Sequence, residues 1–373
     1  MEVFIEIAYI TNWVSAAESY SEGRRMTLVY QTQNAFRYTE EDAGKTELFP
    51  SWRADIRKVK NEEKNRFYNA GTVSDWSSLT WKEAGRPYEV KTISKSKRTY
   101  EEAHGEMSVK TSWEYFNRSF HEWFVKDVPG ELNASKKQLW HHLARFQLKD
   151  VRGALGETIR LSLWNYAHRI EDGIWDPRGK RALFEGLDLV RPRILFLGAA
   201  EGYEAMQLYA MYPGGEVVMA DYDEFCKTDR FGHFPDTYPF LGTNPATGNV
   251  KVWYKDQMNI TYVVKDIRNL EFGKEFDIVL SVGLLEHFPD DLKQEAMDWH
   301  RKFLKPGGYV IMTTSRCQIK SKLFYTIMAD VMNHTYRELM DIRQMGLYVY
   351  EGGFDILRHG FIKVHNGIVA RPR

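Results

Sequence analysis

Apolar positions change their rhythm along this chain. Near the start, Val3, Ile5, Ile7 and Tyr9 alternate with other residues, the period-two pattern of a strand. "RMTLVYQTQ" (25–33) and "YEVKTISKS" (88–96) also read as strands, set apart by polar stretches such as "KVKNEEKNRF". In "WEYFNRSFHEWF", Trp113, Phe116, Phe120 and Trp123 fall at helical spacing, which predicts an amphipathic helix with an aromatic face. "VPGELNAS" (128–135) reads as a break. After it the pattern predicts helices over 135–151 and 156–174, and a third over 176–190.

From Arg193 the rhythm is different. The runs "ILFLG", "EVVMAD", "ITYVVKD", "FDIVLSVG" and "GGYVIMTT" are apolar on both faces and are joined by helical segments. Strands of that kind belong to a parallel sheet covered on both sides. The prediction is a doubly wound α/β domain over 191–373, preceded by a mixed α/β region over 1–130, which could be a lid, a recognition module or a dimerisation element, and a helical connector over 131–190. In such a sheet ligands bind beyond the carboxyl ends of the strands.

Composition narrows the partners. The 51 basic and 51 acidic side chains cancel, so no global field draws the chain to nucleic acid or to an anionic membrane. No apolar run reaches the ~18 residues of a membrane span. The start carries Glu2 and Glu6 and lacks a basic leader, so it reads as a strand and not as a signal peptide. Cys226 and Cys317 are too few for a disulfide framework and lie in no metal-binding pattern. A cytoplasmic protein without a metal is the expectation. Nine of the 11 tryptophans lie between Trp13 and Trp175, which separates the two parts of the chain further.

The strand ends carry the candidate chemistry. The first ends in "GAAEG", where Gly198, Ala200 and Gly202 let a ligand approach the backbone ahead of a helix N-terminus. The second ends in Asp221, 23 residues after Gly198, a position from which an acid can accept both hydroxyls of a ribose. A helix N-cap is the plainer role for it. The third ends in Asp266 and Ile267, the fourth in "SVGLLEHFP", and "FLKPGG" leads into the fifth. In this order the set resembles the class I S-adenosylmethionine-dependent methyltransferases over roughly 178–373, about half the chain. The ending "GGFDILRHGFIKVHNGIVARPR" is similar to that family's closing pair of strands, one antiparallel to the rest.

The resemblance implies S-adenosylmethionine as cofactor and assigns roles by position. Gly198, Ala200 and Gly202 pass under its methionine part. Asp221 takes the ribose, and Tyr222 lies against the adenine. Asp266 and Ile267 form the adenine-binding pair, while the backbone of Ser281, Val282 and Gly283 meets the amino-acid end. Two departures stand out: Ala200 replaces the usual middle glycine, and Phe196 replaces an acid late in the first strand. Glu201 is a candidate to help hold the cofactor's charged end. Its carboxylate would also repel a pyrophosphate, which argues against a dinucleotide.

His287 and Glu286 are the candidate bases for removing the acceptor's proton, His287 being better suited near neutral pH; ordering the loop is the alternative role. The long segment 226–259 holds Phe231, Phe234, Tyr238, Phe240, Trp253 and Tyr254, and either covers the site or packs on its own sheet edge. A helical stretch over 317–345 offers Tyr325, His334 and Tyr336 to an acceptor wall. No "NPPY"-like turn and no paired glutamates occur, which disfavours adenine, amide and arginine acceptors. The expected function is methyl transfer to an oxygen or nitrogen of a small molecule in biosynthesis or tailoring. A macromolecular acceptor recognised by the N-terminal half, and a cofactor-binding scaffold without turnover, are the alternatives. A homodimer is left open.

Overall fold

The computed structural model describes residues 73–373, apart from 126, 127, 175–182, 235, 237–239, 245, 249 and 363. The strands expected over 3–9 and 25–33 lie outside these residues, as do Trp13, Trp52 and Trp175. Every described residue belongs to the unit Arg37–Arg373.

Before the sheet the chain forms α1 (Trp81–Ala84), β1 (Tyr88–Glu89), α2 (Lys95–His104), α3 (Val109–Val125), α4 (Val128–Ala144) and α5 (Leu148–Ile174). The strand read over 88–96 shrinks to Tyr88–Glu89, because Ser94 caps α2 through the Lys97 N–H at 3.1 Å. The break read at 128–135 is also overturned. Val128 to Ser135 are the opening turns of α4, where Pro129 gives up an N–H that has no intrahelical partner in a first turn. The real break is Arg145–Gln147, with Phe146 at φ 55°. Of the third expected helix, only Leu183 and Phe184 are helical among the described residues.

The strands then follow the expected order: β2 (Arg193–Leu197), β3 (Glu216–Asp221), a short hairpin of β4 (Phe240–Thr243) and β5 (Val250–Trp253), β6 (Ile260–Val264), β7 (Phe276–Val282) and β8 (Leu304–Ser315). Interleaved helices are α6 (Tyr203–Met211), after β2, and α7 (Asp290–Phe303), after β7. Beyond β8 come α8 (Ile319–Ile327), α9 (Ala329–Met332), β9 (Glu338–Leu339), α10 (Ile342–Glu351), β10 (Phe354–Ile362) and β11 (His365–Pro372). The helical stretch read over 317–345 is therefore three helices interrupted by β9. That strand pairs with β1 and ties the N-terminal segment to this side of the molecule.

The seven-stranded sheet runs β10–β11–β8–β7–β2–β3–β6. β6, β3, β2, β7 and β8 pair in parallel, and β11 runs antiparallel to both β8 and β10. Alternate side chains feed two cores. Ile194, Phe196, Val217, Met219, Ile278 and Leu280 face α6 and the hairpin. Leu195, Leu197, Val218, Ala220, Val279 and Met312 face α7 and α10. Each such apolar side chain contributes roughly 1.5–3 kcal/mol of burial, so this double covering is what makes β2, β3, β7 and β8 continuous apolar runs.

The rings of segment 226–259 go mainly to packing. Phe234, Phe240 and Trp253 join the core beside Tyr203 and Tyr209. Gly242 lies so close to α6 that an added Cβ would sit 1.8 Å from the Ala210 carbonyl oxygen. Gly242→Ala is expected to push the hairpin off α6 and cost about 1–3 kcal/mol, visible as a lower midpoint in urea and earlier proteolysis between 235 and 250.

Candidate active site

The carboxyl ends of β2, β3 and β7 meet at the turn Gly198–Gly202. Three of its five residues are left-handed: Gly198 at φ 66°, Ala200 at φ 47° and Gly202 at φ 78°. A side chain is tolerated at Ala200 because both of its backbone polar groups are tied. Its N–H donates to Asp221 Oδ2 at 3.1 Å, and its carbonyl accepts the Tyr262 hydroxyl at 2.8 Å. No such freedom exists at Gly202, where a Cβ would fall 2.2 Å from the Met219 side chain.

Asp221 is buried at the tip of β3, and its second oxygen accepts the Asp223 N–H at 3.2 Å. Burial raises its pKa, against the pull of those two N–H groups. Each carboxylate oxygen can accept more than one hydrogen bond, so a diol can still be bound. The turn, the acid and the close approach fit an adenosyl ligand, with Asp221 on the ribose and the Gly198–Gly202 backbone under the rest.

The other expected contacts are placed less uniformly. Tyr222, next to Asp221, donates its hydroxyl to the Lys110 carbonyl of α3 at 2.9 Å, which fixes the ring at the rim. Asp266 caps the short turn Ile267–Asn269 and is held in two contacts by Arg268, at 3.0 and 2.6 Å. The Arg268 bonds keep its carboxyl below the usual range. Ile267 packs on the core beneath. Ser281 turns its hydroxyl away, to His300 Nε2 at 2.8 Å, leaving its backbone in the sheet between β2 and β8. Burial pushes the His300 imidazole down to about 4, so it stays neutral. Val282 is half-buried, and Gly283 takes φ 62° with its N–H on the Thr313 carbonyl. Phe196 is core, so no carboxylate stands in that place.

Glu201 is engaged within the protein. Its carboxylate pairs at 2.5 Å with Arg230, a buried guanidinium on the segment after β3. A neutralised pair does not repel a pyrophosphate, so that argument against a dinucleotide falls. The sheet replaces it: a dinucleotide-binding sheet of order 3-2-1-4-5-6 has no antiparallel strand inserted before its last member, and β11 is one.

Glu286 and His287, on the turn after β7, have distinct surroundings. Glu286 is fully buried, and its oxygens accept the Ser315 N–H (2.8 Å), the Ser315 hydroxyl (2.7 Å) and Arg337 Nη1 (3.0 Å). Burial raises its pKa, opposed by Arg337 and Ser315. With Tyr325, bonded to Ser315 and Arg337, it forms a buried polar cluster that anchors the loop. Arg337→Met would leave that carboxylate unpaired; the expected loss is about 3 kcal/mol, read from denaturant unfolding, with part of it recovered in Arg337→Met/Glu286→Leu.

His287 presents Nδ1 to the Tyr336 carbonyl at 2.7 Å and the Thr335 hydroxyl at 2.8 Å. A carbonyl only accepts, so Nδ1 carries the proton and the lone pair is on Nε2. The ring lies 4.5 Å from Trp113 and 6.2 Å from Phe116, centroid to centroid. Burial and then the nearby Arg337 charge hold its pKa well below the ordinary value. At neutral pH it is an uncharged base. Tyr325 and Tyr336 are engaged by Ser315 and Glu338, and His334 by Ser94 and Ser119, so these three serve the wall's packing.

Spacing in the chain could not reveal Arg230, Arg337, Asn117 or Asp223. Arg337 is 51 residues from Glu286, and Asn117 is 113 from Arg230. An unexplained cation inside the long segment after β3 was the one signal available for Arg230.

The methyltransferase-domain family model matches residues 244–308, which hold β5, β6, β7 and α7. Solved structures similar to the chain include human N-acetylserotonin methyltransferase in complex with SAM, at 17% identity and TM-score 0.40, covering 63% of this chain and 66% of that one. An O-methyltransferase family protein from Burkholderia thailandensis is similar at 16% identity and TM-score 0.41, over 68% and 72%. A 1,6-didemethyltoxoflavin-N1-methyltransferase from the same organism is similar at 13% and 0.38, over 62% and 89%. The chain thus spans just under two thirds of the human enzyme. No curated protein matches it. The segment 244–308 is thus similar to a methyltransferase domain, and it lies in a sheet whose strand order carries a reversed β11 before its last member. Among the described residues no helix is long and apolar enough to cross a membrane, and no cluster of metal-ligating side chains occurs.

Proposed function

We propose that this protein transfers a methyl group from S-adenosylmethionine to an oxygen or nitrogen of a small-molecule acceptor, with His287 taking the acceptor's proton. The observation that carries the reading is the pairing of a strand-tip acid, Asp221, with an imidazole whose Nδ1 is locked on a carbonyl under aromatic cover. Bound, the sulfonium would supply an electrophilic methyl group, and transfer needs alignment and a base more than further covalent help. Asp221 and the turn hold the adenosyl part, while Nε2 of His287 accepts the proton. Trp113 and Phe116 exclude water from the imidazole, and Glu286 keeps the loop in place through Ser315 and Arg337.

The small-molecule acceptor is supported by the rings Trp113 and Phe116 that α3 sets beside His287, since aromatic faces suit a flat or apolar group. A cytoplasmic tailoring reaction fits two unpaired cysteines, Cys226 and Cys317. Titration calorimetry with S-adenosylmethionine, S-adenosylhomocysteine and NADH tests the cofactor. A screen of phenols, catechols, amines and N-heterocycles, read by S-adenosylhomocysteine release, tests the acceptor. Binding with no turnover on any acceptor would favour the scaffold reading; NADH binding alone would end the proposal.

A further inference from the structure

Helix α3 belongs to the N-terminal part of the chain, yet it contacts the loop after β3 at Tyr222, Asp223 and Arg230 and the loop after β7 at His287. At its start the Lys110 carbonyl accepts the Tyr222 hydroxyl. In its second and third turns Trp113 and Phe116 lie on His287. Further on, Phe120 packs under the Arg230 guanidinium at 4.8 Å, and Ser119 meets His334.

Asn117 is the centre of these contacts. Its Oδ1 accepts Arg230 Nη1 at 3.0 Å, and its Nδ2 donates to Asp223 Oδ2 at 3.0 Å. Asn117, Arg230 and Asp223 are each 4% exposed. Arg230 in turn holds Glu201 of the Gly198–Gly202 turn, and Asp223 is tied to Asp221 through its own N–H. One amide therefore bridges the turn and the ribose-side loop. An amide accepts from the cation through its oxygen and donates to the carboxylate through its nitrogen, two separate atoms set apart by the planar group. A buried chain of this kind is strong when complete and costly when one member is wrong.

We propose that Asn117 is the positioning residue through which α3 closes over the cofactor, so that cofactor binding and the seating of Trp113 on His287 are one event. This inference rests on the function proposed above. An adenosyl ligand on Asp221 and under the turn stiffens the two groups to which Asn117 is tied. α3 is then held more firmly, and the cover over the base is most stable when the methyl donor is present. The N-terminal region, read from sequence as a candidate lid, would then supply a section of the site.

The test is hydrogen exchange of residues 109–125 with and without S-adenosylhomocysteine, together with calorimetry, on the full chain. In the wild type the ligand is expected to slow exchange across α3. In Asn117→Asp a carboxylate faces Asp223, and the dissociation constant is expected to rise about 10- to 100-fold. α3 protection should then be lost even at saturating ligand. Should that variant fold poorly, Asn117→Asp/Asp223→Asn exchanges the roles of amide and acid and is expected to restore both readouts. Ligand binding that leaves α3 exchange unchanged, or a double variant no better than the single one, overturns the inference. A wild type that binds no S-adenosylhomocysteine overturns the function itself, and this inference with it.

Discussion

Replacing Asp221 by alanine is expected to weaken S-adenosylmethionine and S-adenosylhomocysteine binding on the order of 100-fold or more. The carboxylate would accept two ribose hydroxyls as charged hydrogen bonds, each worth roughly 1.5–3 kcal/mol. It also accepts the Ala200 and Asp223 N–H groups, and so sets the turn. Alanine removes the ligand's partner and one of the bonds that keep Ala200 at φ 47°. Two orphaned amides cost about 1 kcal/mol each, so the melting temperature should fall by several degrees as well. Asp221→Asn keeps an acceptor for one of them and should be intermediate in both. The wild type carries a pH signature of the same group. Because burial raises the Asp221 pKa, protonation begins at a higher pH than for an ordinary carboxylate. Affinity should therefore weaken as pH falls through that raised value, and hold above it. Calorimetry across pH checks this; an Asp221→Ala protein that binds as tightly as the wild type would remove the ribose assignment.

The second large effect is expected at His287. His287→Ala should lower kcat by about 10²- to 10⁴-fold, the usual contribution of a positioned base. Burial and Arg337 hold the imidazole pKa well below its ordinary value. The base is neutral above that depressed pKa and is lost only as pH falls through it. The rate of the wild type should thus stay flat from neutral into mildly acidic solution. A phenol or amine with a high pKa should feel the substitution most, since its proton must leave during transfer. Single-turnover methylation measured for a series of acceptors decides the matter. A loss under tenfold on the least acidic acceptor would return His287 to the loop-ordering role and leave the proton to water.

The parallel strands, their order and the acids at their tips were legible in the chain because each depends on local pattern. β2, β3, β7 and β8 are buried on both faces, and that burial shows as unbroken apolar runs, while β6 at the edge is only half-buried. The small residues of Gly198–Gly202 were legible because left-handed backbone and close approach exclude most side chains. Errors arose where tertiary context overrode local signals. Pro129 and Gly130 look like a break but open α4, and the apparent helix 317–345 is interrupted where β9 leaves to pair with β1. The charge of Glu201 was visible, whereas its neutralisation by Arg230 was not.

By itself, then, the sequence determined the α/β character of residues 193–373, the position of the ligand-facing turn and the acid beside it. Periodicity, glycine conformation and strand length act over a few residues and leave their mark in consecutive letters. Tertiary structure decided which acids are available and which are spent. It paired Glu286 with Arg337 and Glu201 with Arg230, and it fixed the His287 tautomer through a carbonyl 49 residues away. It also brought α3 across the strand tips. Electrostatic pairing and burial act between groups that are close in space, and no spacing along the chain encodes which distant partner a buried charge will meet.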